Sequence, residues 1–119
     1  MATVYTTVGK QFIVDLIDAT IAVAAHFGAW GTGAGTAAVG DTTLFTEASE
    51  ARVSATKSQP AADKNQWLWL MTADGAKTIT NAGVFSLSSG GTLIIKGDFT
   101  GIALALNDQI QFTATLQQT

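Results

Sequence analysis

The residues best suited to do chemistry lie in a glycine-rich stretch, WGTGAGTAAVGDTTLFTEASEAR, which spans residues 30–52. A glycine-rich loop that leads into a helix can bind phosphate through its backbone N–H groups. Gly33, Gly35 and Ala38 match the G-x-G-x-x-A variant of the dinucleotide-binding motif. The motif also needs a full helix and an acidic residue about 20 positions later on a parallel strand, and neither follows here. We therefore interpret the stretch as a connection between two strands, with nucleotide binding as the minor alternative.

His26 is the only histidine of the chain, and there is no cysteine. A zinc site would therefore need carboxylates as its other ligands, which is rare. No serine lies in a G-x-S-x-G sequence, so nothing indicates a nucleophile elbow. In an alternating strand over residues 21–27, His26 lies opposite Ile21, Val23 and Phe27, and we expect it to face solvent or an interface.

The acidic residues and the tryptophans are also candidates for a catalytic or binding role, but ordinary structural roles explain them more simply. The acidic residues are scattered along the chain. Three lie on or near a predicted short helix: Asp41, Glu47 and Glu50. Four are expected in turns, where aspartate is favoured: Asp63, Asp74, Asp98 and Asp108. Trp67 and Trp69 could stack on a sugar, but strand aromatics belong more often to a core or an interface. We expect no catalytic residue, no metal ligand and no cofactor, and hence no enzyme.

Most of the chain shows the two-residue period of β-strands. The clearest example is Gln109–Gln117, in which Ile110, Phe112, Ala114 and Leu116 alternate with polar residues. Residues 65–72 have two apolar faces, one with Trp67, Trp69 and Met71 and the other with Leu68 and Leu70, so we expect a central strand or burial by another subunit. Further strands are predicted over residues 21–27, 52–58, 77–80 and 92–96.

One short helix is predicted over residues 42–49, with Asp41 as its N-cap and Leu44 and Phe45 packed against the core. Residues 11–18 could form a strand or a helical turn, and a loop is expected around Pro60. Short strands separated by turns indicate an all-β sandwich or barrel. At 119 residues the chain has the length of one domain, of which residues 1–18 could be an extended docking arm.

The composition excludes several classes of function. Only 13% of residues are charged and the net charge is −3, which disfavours nucleic-acid binding because that needs a basic surface. The most apolar run, residues 20–30, is too short to span a bilayer. Asp15 and Asp18 precede it where a signal peptide has basic residues, so we expect no export and no membrane partner.

The order of motifs resembles that of small virion proteins of tailed bacteriophages, which are head decoration (cement) or tail-associated proteins. The most specific pieces are ITNAGVF at residues 79–85 and KGDF at residues 96–99, within a resemblance that covers residues 30–116. The resemblance implies an antiparallel β-sandwich of jelly-roll type, assembled in symmetric copies, with a trimer favoured. It implies no enzyme, no cofactor and no small-molecule substrate.

From this resemblance we expect a capsid decoration protein, assembled in the host cytoplasm, that binds the major capsid protein on the outside of the head at capsomer junctions. The alternative is a tail or tail-fibre module that recognises host-surface glycan through exposed loop aromatics such as Trp30. Six apolar residues are candidates for the interface, and the domain's own core is the competing placement for each: Phe12, Ile13, Leu16, Trp67, Trp69 and Met71.

Overall fold

The computed structural model describes residues 3–17 and 26–117, which form two antiparallel sheets packed face to face. The predicted all-β sandwich is confirmed. The elements in chain order are β1 (Thr3–Tyr5), α1 (Thr7–Ile17), β2 (Phe27–Gly31), β3 (Val53–Ser54), β4 (Thr56–Ala61), β5 (Lys64–Thr72), β6 (Lys77–Phe85), β7 (Leu93–Leu104) and β8 (Gln109–Gln117). The large sheet has the strand order β1-β7-β6-β2-β3, and the small sheet has the order β4-β5-β8.

The small sheet follows the alternation that the sequence predicts. β5 and β8 pair over nine residues without a register shift, and Trp69 lies opposite Phe112. The side chains of Trp67, Trp69 and Met71 are buried between the sheets, and Leu68 and Leu70 lie on the opposite, exposed face. Gly28 of β2 lets the Trp69 ring approach the large sheet, because a Cβ at Gly28 would lie 2.3 Å from ring carbons.

In the large sheet, β6 and β7 extend well beyond the predicted segments 77–80 and 92–96. Most of β6 is buried, because β2 and β7 flank it on both sides. Asp98 was expected in a turn and lies within β7. Ile79, Val84, Ile94 and Ile95 contribute the buried side of this sheet to the main core.

The predicted helix over residues 42–49 is wrong. This segment forms an irregular loop beside the end of β2, with Thr46 at a φ of 51°. Thr32 N–H donates to the Thr46 carbonyl at 2.9 Å, and Gly33 N–H donates to the Phe45 carbonyl at 2.8 Å. Gly31 and Glu47 also form an antiparallel bridge. Because these carbonyls are paired across the loop, they are not free for the i to i+4 bonds of a helix.

The one helix of the described residues is α1, in the region where the sequence left strand and helical turn open. Thr6 caps it, since its Oγ1 accepts a hydrogen bond from Gly9 N–H at 3.0 Å. Gly9 allows α1 to approach β7 closely, because a Cβ there would lie 2.5 Å from the Ile94 carbonyl oxygen. β1 pairs with β7 at Thr3 and Gly97, so residues 3–17, expected as a possible arm, lie folded against the domain.

Two further boundaries differ from expectation. The strand predicted over residues 21–27 lies mostly outside the described residues, and β2 begins at Phe27. The strand predicted over residues 52–58 is divided into β3 and β4, which belong to different sheets. Pro60, expected in a loop, lies within β4, where a register shift between Ser58 and Ala61 and the edge position of the strand accommodate it.

Candidate functional site

Several backbone N–H groups of the glycine-rich stretch are hydrogen-bonded within the chain itself. Ala37 N–H donates to Asp98 Oδ1 at 3.2 Å, and Ala38 N–H donates to Asp41 Oδ2 at 3.0 Å. Gly33 N–H is bound to the Phe45 carbonyl. A phosphate group here would have to displace two carboxylates, which repel it. The stretch is a strand-to-strand connection, and it does not form a phosphate cradle.

The two most specific sequence motifs hold this connection in place. Asn81, fully buried in β6, accepts a hydrogen bond from Phe45 N–H at 3.0 Å through Oδ1 and donates to the Phe45 carbonyl at 3.1 Å through Nδ2. The neighbouring Thr80 hydroxyl donates to the Gly33 carbonyl. The side-chain amide of Asn81 thus satisfies the backbone of Phe45 as a neighbouring strand would.

Lys96 of the second motif anchors the same connection with a buried charge. Its Nζ donates to Asp41 Oδ2 and to the Thr43 carbonyl, both at 2.9 Å, and lies 3.3 Å from the centroid of the Phe45 ring. The backbone hydrogen bond from Ala38 and the Lys96 ammonium lower the pKa of Asp41. Asp41 was expected to cap a helix, and its place in this network explains why it caps none.

Glu50 lies at the centre of a second network at the far end of the connection. Its carboxylate accepts hydrogen bonds from the Trp30 indole and the Asp74 backbone N–H, both at 2.9 Å, and pairs with Lys77. Burial alone would raise the pKa of Glu50, but the hydrogen bonds from Lys77, Asp74 and Trp30 outweigh it and lower the pKa to about 2. Trp30 is buried, which contradicts the expectation of an exposed aromatic for glycan binding.

His26 is buried, contrary to the expectation that it faces solvent or an interface. Its Nδ1 accepts a hydrogen bond from the Trp67 indole N–H at 3.0 Å, and the edge of its ring meets Phe12 at a centroid distance of 5.5 Å. Burial, and then the charge of Lys57, lower its pKa to about 4. The neutral ring therefore carries its proton on Nε2, and it serves as a hydrogen-bond acceptor inside the core.

Four of the six interface candidates pack in or against the domain's own core. Trp67, Trp69 and Met71 belong to the main core, which is the second of the two placements that the sequence left open. Phe12 packs against that core from α1, and Ile13 is partly buried beside it. Leu16 lies in α1, and its side chain is outside the described residues.

The surface best suited to an interaction is the outer face of the small sheet, opposite the tryptophans. Leu68 and Leu70 are exposed at its centre, with 37% and 49% of their surface accessible. Gln66 Nε2 donates to Thr115 Oγ1 at 3.3 Å across this face. We define the outer sheet face by ten uncharged residues: Thr56, Ser58, Gln66, Leu68, Leu70, Thr72, Gln109, Gln111, Thr113 and Thr115.

The sequence contained a signal for this face. Leu68 and Leu70 formed the second apolar face of the predicted strand, and β8 shows a polar face of glutamine and threonine. Only the pairing register shows that the leucines and the polar face of β8 lie on the same side. Around the two leucines this surface carries no charge, and Lys64 lies at its end, where β5 begins. An uncharged region that exposes two adjacent leucines is typical of the centre of an interface, where charged residues are depleted.

No family model and no curated protein matches this sequence. Among the described residues, no cluster of three or more histidine, cysteine, aspartate or glutamate side chains could hold a metal ion. A search of the same residues finds no helix of sufficient length and apolar character to cross a membrane.

Proposed function

We propose that this chain is a structural protein of a tailed-bacteriophage virion: a decoration protein that binds the outside of the head at capsomer junctions and stabilises it. The observation that carries the proposal is the outer sheet face, whose uncharged side chains surround the exposed Leu68 and Leu70. The resemblance of the ITNAGVF and KGDF motifs to phage virion proteins supports the same assignment. On this proposal the protein acts through its surface and catalyses no reaction.

The stabilisation would be mechanical. Leu68 and Leu70 are each about half buried in the isolated domain, so docking on the capsid would remove their remaining apolar surface from water. Complete burial of a leucine side chain is worth about 1.5–3 kcal/mol, and the two exposed fractions together amount to nearly one leucine, so docking contributes about 2 kcal/mol per copy before association costs. Many copies in symmetric positions on one shell would add these contributions, so that a weak individual contact becomes a substantial stabilisation of the head.

The rigid core supports this surface. The side chains directly beneath it, Trp67, Trp69 and Met71, are buried, and the Trp69 and Phe112 rings stack at a centroid distance of 5.2 Å. A sheet fixed in this way needs little ordering when it docks, so less of the interaction energy is lost to conformational entropy.

The test uses heads prepared from particles that lack the protein. Added wild-type protein should co-sediment with these heads and raise the temperature at which they release DNA. The double variant Leu68→Gln/Leu70→Gln should bind at least about tenfold more weakly, which corresponds to about 1.4 kcal/mol. Leu106→Gln is the matched control, because Leu106 is exposed in the turn between β7 and β8 and lies outside the outer sheet face.

Two results would contradict the proposal. The first is binding of the double variant and of the Leu106→Gln control with equal strength. The second is particles whose heads keep their heat resistance without the protein while adsorption to cells is lost, which would place the protein on the tail as a receptor-binding module.

A further inference from the structure

The free edges of the two sheets differ sharply in how they are protected against pairing. β1 and β3, at the edges of the large sheet, have only three and two residues. β4, at one edge of the small sheet, contains Pro60 and a register shift. Short edges, proline and bulges all prevent the addition of another strand. Of the four sheet edges formed by residues 3–17 and 26–117, three therefore carry a feature that blocks edge-to-edge association.

β8, at the fourth edge, has none of these features. It is nine residues long, pairs with β5 without a register shift, and contains no proline and no charged residue. In the part of the chain that the structure describes, β5 is its only strand neighbour. A long, regular, uncharged edge strand presents a row of N–H and C=O groups to which another strand can bind.

The apolar side of β8 is also incompletely covered. Ile110, Phe112 and Ala114 point toward the core but stay partly exposed, whereas Trp69 and Met71 on the adjacent β5 are buried. A cavity of about 340 Å³ lies beside them, lined by Thr3 of β1 on one side and by Phe112 and Thr115 of β8 on the other. A strand added to the β8 edge would lie over this opening between the sheets and cover these apolar side chains.

The sequence of β8 is complementary to itself about Thr113. In an antiparallel pair with its own copy centred there, Gln109 faces Gln117, Ile110 faces Leu116, Gln111 faces Thr115 and the large Phe112 faces the small Ala114. Every polar residue meets a polar residue, and every apolar residue meets an apolar one. We propose that the chain forms a two-fold dimer in which β8 pairs antiparallel with β8 of a second copy.

Such a dimer would join the two small sheets into one six-stranded sheet in the order β4-β5-β8-β8-β5-β4. The outer sheet faces of both copies would then form one continuous surface that is uncharged around Leu68 and Leu70 and bears Lys64 at the end of each β5. The assembly would stop at two copies, because both β8 edges are paired within the dimer and the β1, β3 and β4 edges are blocked. The inference rests on the edge strand alone and does not depend on the proposed function.

The test measures the mass of the full chain by light scattering after size-exclusion chromatography, over a dilution series. Wild type should have twice the chain mass and dissociate on dilution. Thr113→Lys places two ammonium groups directly opposite each other at the two-fold axis, and should raise the dimer dissociation constant at least about tenfold. Thr56→Lys, at the β4 edge of the same face, is the matched control and should leave the constant unchanged.

Mixing complementary variants tests the register. Neither Thr113→Lys nor Thr113→Glu should dimerise well alone, and an equimolar mixture should recover the dimer because opposite charges then meet at the axis. Circular dichroism melts establish that each variant is folded. A wild type that stays monomeric, a trimer insensitive to Thr113→Lys, or a mixture that fails to recover the dimer would each overturn the proposal.

A cysteine variant tests the same geometry without introducing charge. The natural chain contains no cysteine, so Thr113→Cys has a single thiol. Oxidation with diamide should link two copies of Thr113→Cys, and Gln109→Cys should stay unlinked because Gln109 lies far from its own copy in this register. Equal cross-linking of the two variants, or none of Thr113→Cys, would overturn the proposed pairing.

Discussion

Asn81→Asp changes one atom of a fully buried side chain and should destabilise the domain strongly. The Asn81 amide donates to the Phe45 carbonyl at 3.1 Å and accepts from the Phe45 N–H at 3.0 Å. The carboxylate keeps the acceptor but replaces the donor with an oxygen that faces the Phe45 carbonyl. Asn81 Nδ2 also donates to Thr80 Oγ1 at 3.1 Å. The variant therefore loses both hydrogen bonds that Nδ2 donates, gains a repulsive contact with the Phe45 carbonyl and buries a charge.

We expect a cost of about 3 kcal/mol at pH 7, from the two lost hydrogen bonds and the buried charge. For a chain of this length, that corresponds to a decrease in melting temperature of about 12 °C. Burial should raise the pKa of the introduced carboxyl above its unfolded value of about 3.9. The protonated group can donate again to the Phe45 carbonyl, so the difference from wild type should shrink toward pH 4 and grow as the pH rises.

Urea denaturation of wild type and variant at several pH values between 4 and 8 measures this difference directly. Asn65→Asp is the control, because Asn65 is exposed on β5 and its substitution should change stability by less than about 0.5 kcal/mol at every pH. A cost for Asn81→Asp as small as that of the control, or one that does not depend on pH, would refute the argument that this amide holds the connection between β2 and β3.

Two further predictions concern groups with lowered pKa values. The pKa of His26 is about 4 because of burial and Lys57, so domain stability should fall as the pH decreases from about 6.5 to about 4, where the unfolded chain takes up the proton first. Lys57→Gln should raise the His26 pKa in an NMR titration, and an unchanged value would contradict the contribution of that charge. Glu50 stabilises the fold above about pH 4.5, and this contribution is lost as the pH falls toward its folded pKa of about 2. Glu50→Gln should cost about 1 kcal/mol at pH 7 after allowance for solvent screening, and should flatten the acid limb of the stability curve measured by urea denaturation. An acid limb as steep as that of wild type would contradict this.

The local pattern of the sequence predicted those elements whose two faces differ in polarity. β8 was predicted with its observed bounds, because its alternation places every apolar side chain on one side. β5 was predicted nearly in full for the same reason. β6 and β7 were predicted too short, because their continuations contain glycine and polar residues, among them Asp98, which was expected in a turn. In the fold these polar residues bind the connection that crosses the sheet, which no local pattern can indicate.

Residues 42–49 likewise adopt a structure that their local sequence pattern does not predict. Their spacing suits a short helix, but so short a helix has little stability of its own. Hydrogen bonds from Gly33, Asn81 and Lys96, which are distant in sequence, therefore decide the conformation. His26 was assigned to the wrong environment because burial depends on a partner, the Trp67 indole, that lies 41 residues away along the chain.

The sequence by itself determined that the protein is all-β, a sandwich or a barrel, with few charges and two apolar faces on β5, because composition and two-residue periodicity are local properties. The tertiary structure decided which face of β5 is core and which is surface. That choice depends on the register between β5 and β8, since a one-residue shift would exchange the faces. The tryptophans are buried and the leucines are exposed because the large sheet covers only one side of the small one.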